Sequence, residues 1–263
     1  MHSIPPVGAQ LREWRQRRRL SQLDLAGHAA VSTRHLSCME TGRALPSREM
    51  VLRLADRLEV PLRERNRLLT AAGYAPLYRE HALVDPEMHA PAQAVQRVLK
   101  AHEPYPALAV DRHWNMVASN RMVPLLLSDV APEMLAPPVN VLRLSLHPQG
   151  LAPRILNLAQ WRHHLLHRLH QQVRASGDPT LAALADELAG YPAPPGGADA
   201  HPQAEVYVPL RVHSPAGMLN LISIITVFGT PTDITLSELA LETFFPADEE
   251  TATALRGLAQ SVG

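Results

Sequence analysis

The sequence predicts two domains: an all-α domain of five short helices, then an α+β domain built on an antiparallel sheet. Three observations lead there. A length of 263 residues leaves room for one or two domains. Charge then divides along the chain. Residues 1–80 hold 14 Arg against 8 acidic residues, net +6, and the remainder holds 11 Lys+Arg against 17 acids, net −6. A basic front and an acidic back mark a polyanion-binding module joined to something different. Lastly, capped helical periodicity fills residues 6–73, lapses over 74–92, and is replaced by a mixture of strand-length and helix-length apolar patterns. The expected boundaries are therefore 1–73, a linker at 74–92, and 93–263.

Composition narrows the class. Hydrophobic residues make up 46% of the chain, enough to bury a core. The single cysteine, Cys38, permits no intramolecular disulfide and points to a reducing compartment. The first residues, MHSIPPVGAQLREW, contain no apolar signal core. The longest uncharged apolar run, Met218–Phe228, is too short to span a bilayer. A cytoplasmic location and no membrane partner are expected.

The front helices follow in order. Val7, Leu11, Trp14 and Arg18 share one helical face, with Arg12, Arg15, Arg17 and Arg19 around the rest. Ser21-x-x-Asp24 is a capping box opening a second helix that buries Leu23, Ala26 and Ala30. Ser32 caps a third, with Val31, Leu36 and Met39 inward, and Gly42 ends it. Ser47 caps a fourth, striped by Val51, Leu54, Ala55 and Leu58. Pro61 starts a fifth, where its missing N–H costs nothing, and Gly73 closes it.

Three prolines interrupt residues 74–92, hence the linker. A helix is expected at Gln93–His102. Ala107–Val110 and Trp114–Ala118, split by Asp-Arg-His, read as a hairpin. Asn120–Leu127 reads as a short helix, Pro132–Pro138 as irregular, and Val139–Leu146 as a short apolar segment. Residues 154–176 form the longest helix candidate, with Ile155, Leu158, Trp161, Leu165, Leu169 and Val173 on its apolar face. Asp178-Pro179 starts another, with Leu181, Leu184 and Leu188 inward. Pro192–Pro202 is a loop, Val206–Val212, Leu219–Phe228 and Glu238–Phe245 are strands, and Asp248–Ala259 is a closing helix.

Two capped helices joined by a tight turn make a helix-turn-helix, whose second helix enters the major groove. In VSTRHLSCMETGR, residues 31–43, the apolar positions look inward. Thr33, Arg34, Ser37 and Cys38 are left facing out, with Ser32 at the start and His35 at the edge. Arg pairs bidentately with guanine, and Thr or Ser contacts base edges. Gln22 and Arg43 are placed for phosphates. A Ser/His/Cys catalytic cluster would need a water-excluding pocket, which an exposed eight-residue helix does not supply. No catalytic residue is assigned, and a lone small Cys38 reads as inert rather than redox-sensing.

The run LSQLDLAGHAAVSTRHLSCMETGRALPSREMVLRLADRLEVP resembles the XRE/Cro-type helix-turn-helix of phage-repressor-like regulators, over roughly residues 6–73. The combination LSQ-x-x-LA with VS-x-x-x-LS-x-x-E-x-G-R carries the likeness. Ala30 departs from it, since many relatives have Gly in the turn, and serves if the backbone there needs only modest adjustment. The resemblance implies a homodimer on a near-palindromic double-stranded DNA operator, with recognition helices about 34 Å apart.

The blocks RNRLLTAAGYAP (65–76), EPYPALAVDRHWNMVASN (103–120), LRLSLHPQGLAPRILNLAQW (142–161) and TFFPADEETA (243–252) resemble MmyB-like transcription regulators. That resemblance implies a PAS-like sensor over 93–263 whose cavity takes a fatty-acid-like molecule. The candidate lining is Leu108, Val110, Trp114, Val117, Leu126, Trp161, Leu165, Leu221, Ile225 and Phe228, with Asn120, Arg154 or Arg162 for a polar head group. The plainer reading of each apolar residue is core, and of each arginine, surface. His163, His167 and His170 share one face at i, i+4 and i+7. They lie opposite the leucine face, and no Cys or carboxylate nearby completes a metal site, so they read as a solvated stripe. No cofactor is expected. There is no GxxxxGK[ST], HExxH, GxSxG or CxxC. The expected function is a ligand-responsive, DNA-binding transcription regulator. The alternative is a DNA-binding regulator whose back half recruits a protein and holds no ligand.

Overall fold

In the computed structural model the front helices are α1 (Val7–Arg17), α2 (Gln22–His28), α3 (Thr33–Glu40), α4 (Arg48–Arg57) and α5 (Leu62–Ala71), with prolines at the N-termini of α1 and α5 and side-chain caps on the other three. Residues 5–192 and 207–261 are described. Ser21 Oγ accepts from the Asp24 N–H and the Asp24 carboxylate accepts from the Ser21 N–H, closing a capping box. Ser32 and Ser47 cap α3 and α4 by accepting from the His35 and Met50 amides. The inward leucines and Met39 are fully buried. Gly8 is buried where α1 meets the end of α3. A Cβ there would stand 2.2 Å from the Met39 carbonyl oxygen, so only glycine permits this approach.

By compactness the chain divides into two units. The first is Met1–His81 with Arg174–Ser176 and Pro231–Ser237, and the second is Ala82–Val173, Gly177–Thr230 and Glu238–Gly263. The second contains α6 (His89–Ala101), β1 (Ala107–Val110), β2 (Met116–Ser119), α7 (Met122–Leu126), α8 (Val141–Leu146), all but the last three residues of α9 (Leu158–Ser176), α10 (Pro179–Ala189), β3 (Leu210–Ser214) and β4 (Gly217–Val227). After α11 (Ile234–Glu238), which but for Glu238 belongs to the first unit, the second continues with β5 (Ala240–Pro246) and α12 (Glu249–Gln260). All strand pairs are antiparallel, in the order β2-β1-β5-β4-β3, so the last strand in sequence is the central one.

Strand alternation divides the sheet's two faces. Ala107, Ala109 and Leu241 cluster with Val95 and Leu99 of α6. Leu108 and Val110 belong to the larger core with Trp161, Leu165 and Leu169 of α9. β1 is buried on both faces, which explains its unbroken apolar run.

Several elements differ from expectation. The segment Val139–Leu146 contains helix α8, capped by Asn140 accepting from the Arg143 N–H. Helix α9 begins at Leu158 rather than 154, because Ala152–Arg154 is a 3₁₀ turn and the Ile155 backbone bridges Val212 of β3. Trp114 is not strand: it closes the hairpin turn at φ +68. Its N–H donates to the Asp111 carbonyl, while the Asp111 carboxylate accepts from the His113 and Asn115 amides. Helix α6 starts at His89, earlier than Gln93. Residues 193–202 of the expected loop and the Val206 start of the expected strand lie outside the described residues.

Candidate functional site

Helix α3 presents an outward face built by its caps. Arg34 and His35 are exposed, and Thr33, Ser37 and Cys38 are half-buried. Ser32 is exposed but its hydroxyl is engaged in capping. Arg43, in the loop beyond, donates to the Thr41 hydroxyl at 3.0 Å. The turn into α3 passes through Ala30 at φ +53, a left-handed conformation and not the modest adjustment expected. Of the residues expected inside α2, Leu23 and Ala30 are exposed, and Leu25 takes the buried position.

A buried network that sequence reasoning missed holds this surface in place. Glu40, at the end of α3, accepts from Arg15 Nε at 2.6 Å and Nη2 at 2.8 Å, and from Gln22 Nε2 at 2.8 Å. Gln22, expected at a phosphate, therefore spends that donor internally. The Glu40 side chain is 1% exposed and that of Arg15 11%. Burial alone would raise the Glu40 pKa; the bonds from Arg15 and Gln22 and the Arg15 charge bring it below the ordinary value. One carboxylate thus ties α1, α2 and α3 together. The E of the LS-x-x-E-x-G-R motif was the available signal.

The second unit contains a partly open apolar cavity of about 100 Å³ between the inner sheet face and α9, flanked by α7 and α8. Leu108, Leu126, Trp161, Leu165, Leu221 and Arg154, all expected in the lining, are brought together in its wall. Met116, Val141, Leu144, Leu210, Val212 and Phe244 complete much of it. Trp161 donates its indole N–H to the Ser145 hydroxyl at 2.9 Å, so two polar wall atoms satisfy each other.

The cavity wall also holds charges that the sequence did not single out. Arg168 of α9 and Glu242 of β5 approach to 3.7 Å, with side chains 19% and 6% exposed. Ser223 of β4 donates to Glu242 Oε1 at 2.5 Å. The Arg168 guanidinium stacks over Trp114 at 4.3 Å, and the Trp114 N–H donates to Gln172 one turn along α9. Burial pulls the Arg168 pKa down, while Glu242 opposes that shift. Arg154 donates through Nε to the His213 carbonyl at 2.8 Å, and its Nη1 lies 4.0 Å from the Asp129 carboxylate.

Seven expected lining residues lie elsewhere. Val110 is core beyond the cavity, and Trp114 acts behind Arg168. A register shift between Ala109 and Val110 opposes Met116 to Val110, so Met116 faces the cavity and Val117 is exposed. Asn120 is buried but structural: its amide donates to the Leu99 and Tyr105 carbonyls. Arg162 donates to the Ala189 carbonyl at 2.6 Å, at the end of α10. Ile225 is exposed on β4, and Phe228 packs with the α6 cluster on the other sheet face. His163, His167 and His170 are exposed, and the His163 and His167 rings stack 6.3 Å apart. Among the described residues, no group of three or more His, Cys, Asp or Glu is arranged to hold a metal ion. No helix among them is long and apolar enough to cross a membrane.

Comparison with known families accords with this geometry. Residues 6–68 match a model described as a helix-turn-helix domain. Residues 91–258 match the model of the MmyB-like transcription regulator ligand binding domain. Neither description names an enzyme. None of the curated proteins compared with the chain matches it. With the second model covering more than half of its length, and the first preceding it, the chain belongs to the MmyB-like transcription regulators, a helix-turn-helix domain followed by a ligand-binding domain.

Proposed function

We propose that this protein is a cytoplasmic, sequence-specific transcription regulator whose operator affinity is set by a fatty-acid-like amphiphile in the second unit. The observation that carries this reading is the cavity: an almost wholly apolar wall in which the charged residues are Arg154, Arg168 and Glu242. An apolar pocket with few convergent polar groups suits an amphiphile. A module that only recruited a protein would have no use for such an interior. At the DNA, α3 of an XRE/Cro-type domain enters the major groove, with Arg34 reading a base and Thr33, His35 and Ser37 beside it. A homodimer contacts two half-sites. A ligand that favours one dimer geometry shifts operator affinity through linkage, about 5–150-fold for a coupling of about 1–3 kcal/mol.

The test begins with mass spectrometry of an organic extract of the purified full-length chain, followed by operator titration with and without the amphiphile recovered. A stoichiometric amphiphile that changes operator affinity is the expected result. Operator affinity unchanged at saturating amphiphile would remove the mechanism.

A further inference from the structure

Two strands of the cavity wall are joined by more chain than they need. β4 and β5 are adjacent and antiparallel, and Val227 pairs with Ala240, so residues 228–239 are a hairpin connection. Such connections usually take about two to five residues. The excess here contains α11, and it is not loose at the surface: Asp233 and Ile234 are buried.

By compactness Pro231–Ser237 belongs with Met1–His81 rather than with the strands on either side of it. Hydrogen bonds account for this. The Ile234 N–H donates to the Arg79 carbonyl at 2.9 Å, and the Thr235 hydroxyl donates to the His81 carbonyl at 2.6 Å. His81 Nδ1 lies 2.8 Å from one oxygen of the Asp233 carboxylate, whose other oxygen accepts from the Leu236 N–H. A buried acid requires partners, and this one finds them in the start of α11 and in His81.

Residues 77–80 are in turn fixed to α5. Asn66 accepts from the Leu77 and Tyr78 amides at 2.9 and 3.0 Å and donates to the Tyr78 carbonyl at 2.7 Å, and Arg63 pairs with Glu80. Helix α5 packs against α1 and α4, and α1 supplies the Arg15 that binds Glu40 at the end of α3. The strands on either side of the connection supply cavity wall: Leu221 from β4, and Glu242 and Phe244 from β5. One length of chain thus starts and ends in strands of the wall and is bonded midway to the segment that leaves the DNA-binding helices.

We propose that the β4–β5 connection couples the cavity to the helix-turn-helix, with His81, Asp233 and Thr235 as positioning residues. This rests on the ligand-responsive reading above and names the part that carries the response. A ligand shifts an equilibrium only by binding its two states differently. A ligand that resets β4 against β5 resets both ends of the connection, and the bonds from α11 pass that shift to residues 79–81 instead of leaving a slack loop to absorb it.

The test uses full-length protein, a duplex selected by the wild type from a random pool, and dodecanoic acid as the probe. Duplex affinity is measured by fluorescence anisotropy with and without saturating acid, and acid affinity by calorimetry without DNA. The wild type is expected to show a ratio of about 5–150-fold between the two duplex affinities. His81→Ala combined with Thr235→Val cuts two of the bonds and leaves the Asp233 cap of α11 in place. It should bring the ratio close to unity with acid affinity unchanged. Ser237→Ala, which removes only a hydroxyl bond to the Ile234 carbonyl inside α11, should keep the wild-type ratio. A double variant with the wild-type ratio would overturn the inference and leave the ligand-responsive reading standing. Loss of acid binding in that variant would overturn it too, by showing that the residues support the cavity rather than couple it. A wild-type duplex affinity indifferent to the acid would remove the ligand-responsive reading itself. Should the double variant not fold, hydrogen exchange on the wild type decides: the acid should alter protection of the Ile234, Leu77 and Tyr78 amides, and unchanged protection at all three would overturn the inference.

Discussion

Replacing Glu40 by Ala should loosen the DNA-facing helix without touching its exposed residues. The wild-type carboxylate takes two charge-assisted bonds from Arg15 and one from Gln22. Glu40→Ala removes all three and leaves a guanidinium that is 11% exposed, with one bond to the Leu20 carbonyl. Breaking a buried pair by deleting one partner costs about 3–5 kcal/mol. A unit of this size holds about 4–11 kcal/mol in total, at about 0.05–0.15 kcal/mol per residue. The variant should therefore lose about a quarter or more of its stability, and operator affinity with it. Urea unfolding followed by circular dichroism reads the loss, and hydrogen exchange at the α1–α3 amides localises it. The paired change Arg15→Met with Glu40→Leu should recover most of it, because no charge is left unpaired. The carboxylate also sets an acid limit. Its folded pKa is depressed, so its contribution is complete above its ordinary value of 4.5 and is lost as pH falls through the folded value. A loss below about 1 kcal/mol for Glu40→Ala, as for a solvated surface pair, would refute the reasoning.

Ala30→Gly should stabilise the helix-turn-helix by about 0.5–1 kcal/mol, since Ala30 sits at φ +53 and glycine adopts that conformation freely; an unchanged or lower melting temperature would mean the turn is not strained. Arg34→Ala, at an exposed position of α3, should cost about 1–3 kcal/mol of operator affinity and relax preference at one base pair. Equal weakening on all sequences would place Arg34 on a phosphate instead. Leu165→Trp fills the cavity from α9 and should abolish amphiphile retention at a stability cost of about 1–3 kcal/mol; retention of bound amphiphile in an extract of the variant would place the ligand elsewhere.

Local chemistry made the front of the chain legible. Ser21, Asp24, Ser32 and Ser47 are capping residues whose bonds run to amides three positions away, so spacing alone located α2, α3 and α4. The five strands could likewise be read from short apolar runs, and α10 and α12 from Asp178 and Asp248 at their N-caps. What spacing cannot carry is the choice of face and partner across the chain. Val117 is exposed and Met116 faces the cavity because of a register shift between β1 and β2, and Phe228 packs with α6 on the opposite face of the sheet from the cavity. Glu40 reads as an ordinary helical acid until Arg15, 25 residues away, closes on it. Arg168 reads as one more charge in a histidine-rich stripe until β5, the last strand in sequence, enters the centre of the sheet and sets Glu242 opposite it. Caps and periodicity are set by bonds within a few residues; pairing of buried charges is set by long-range strand order, which desolvation enforces only once the sheet has closed.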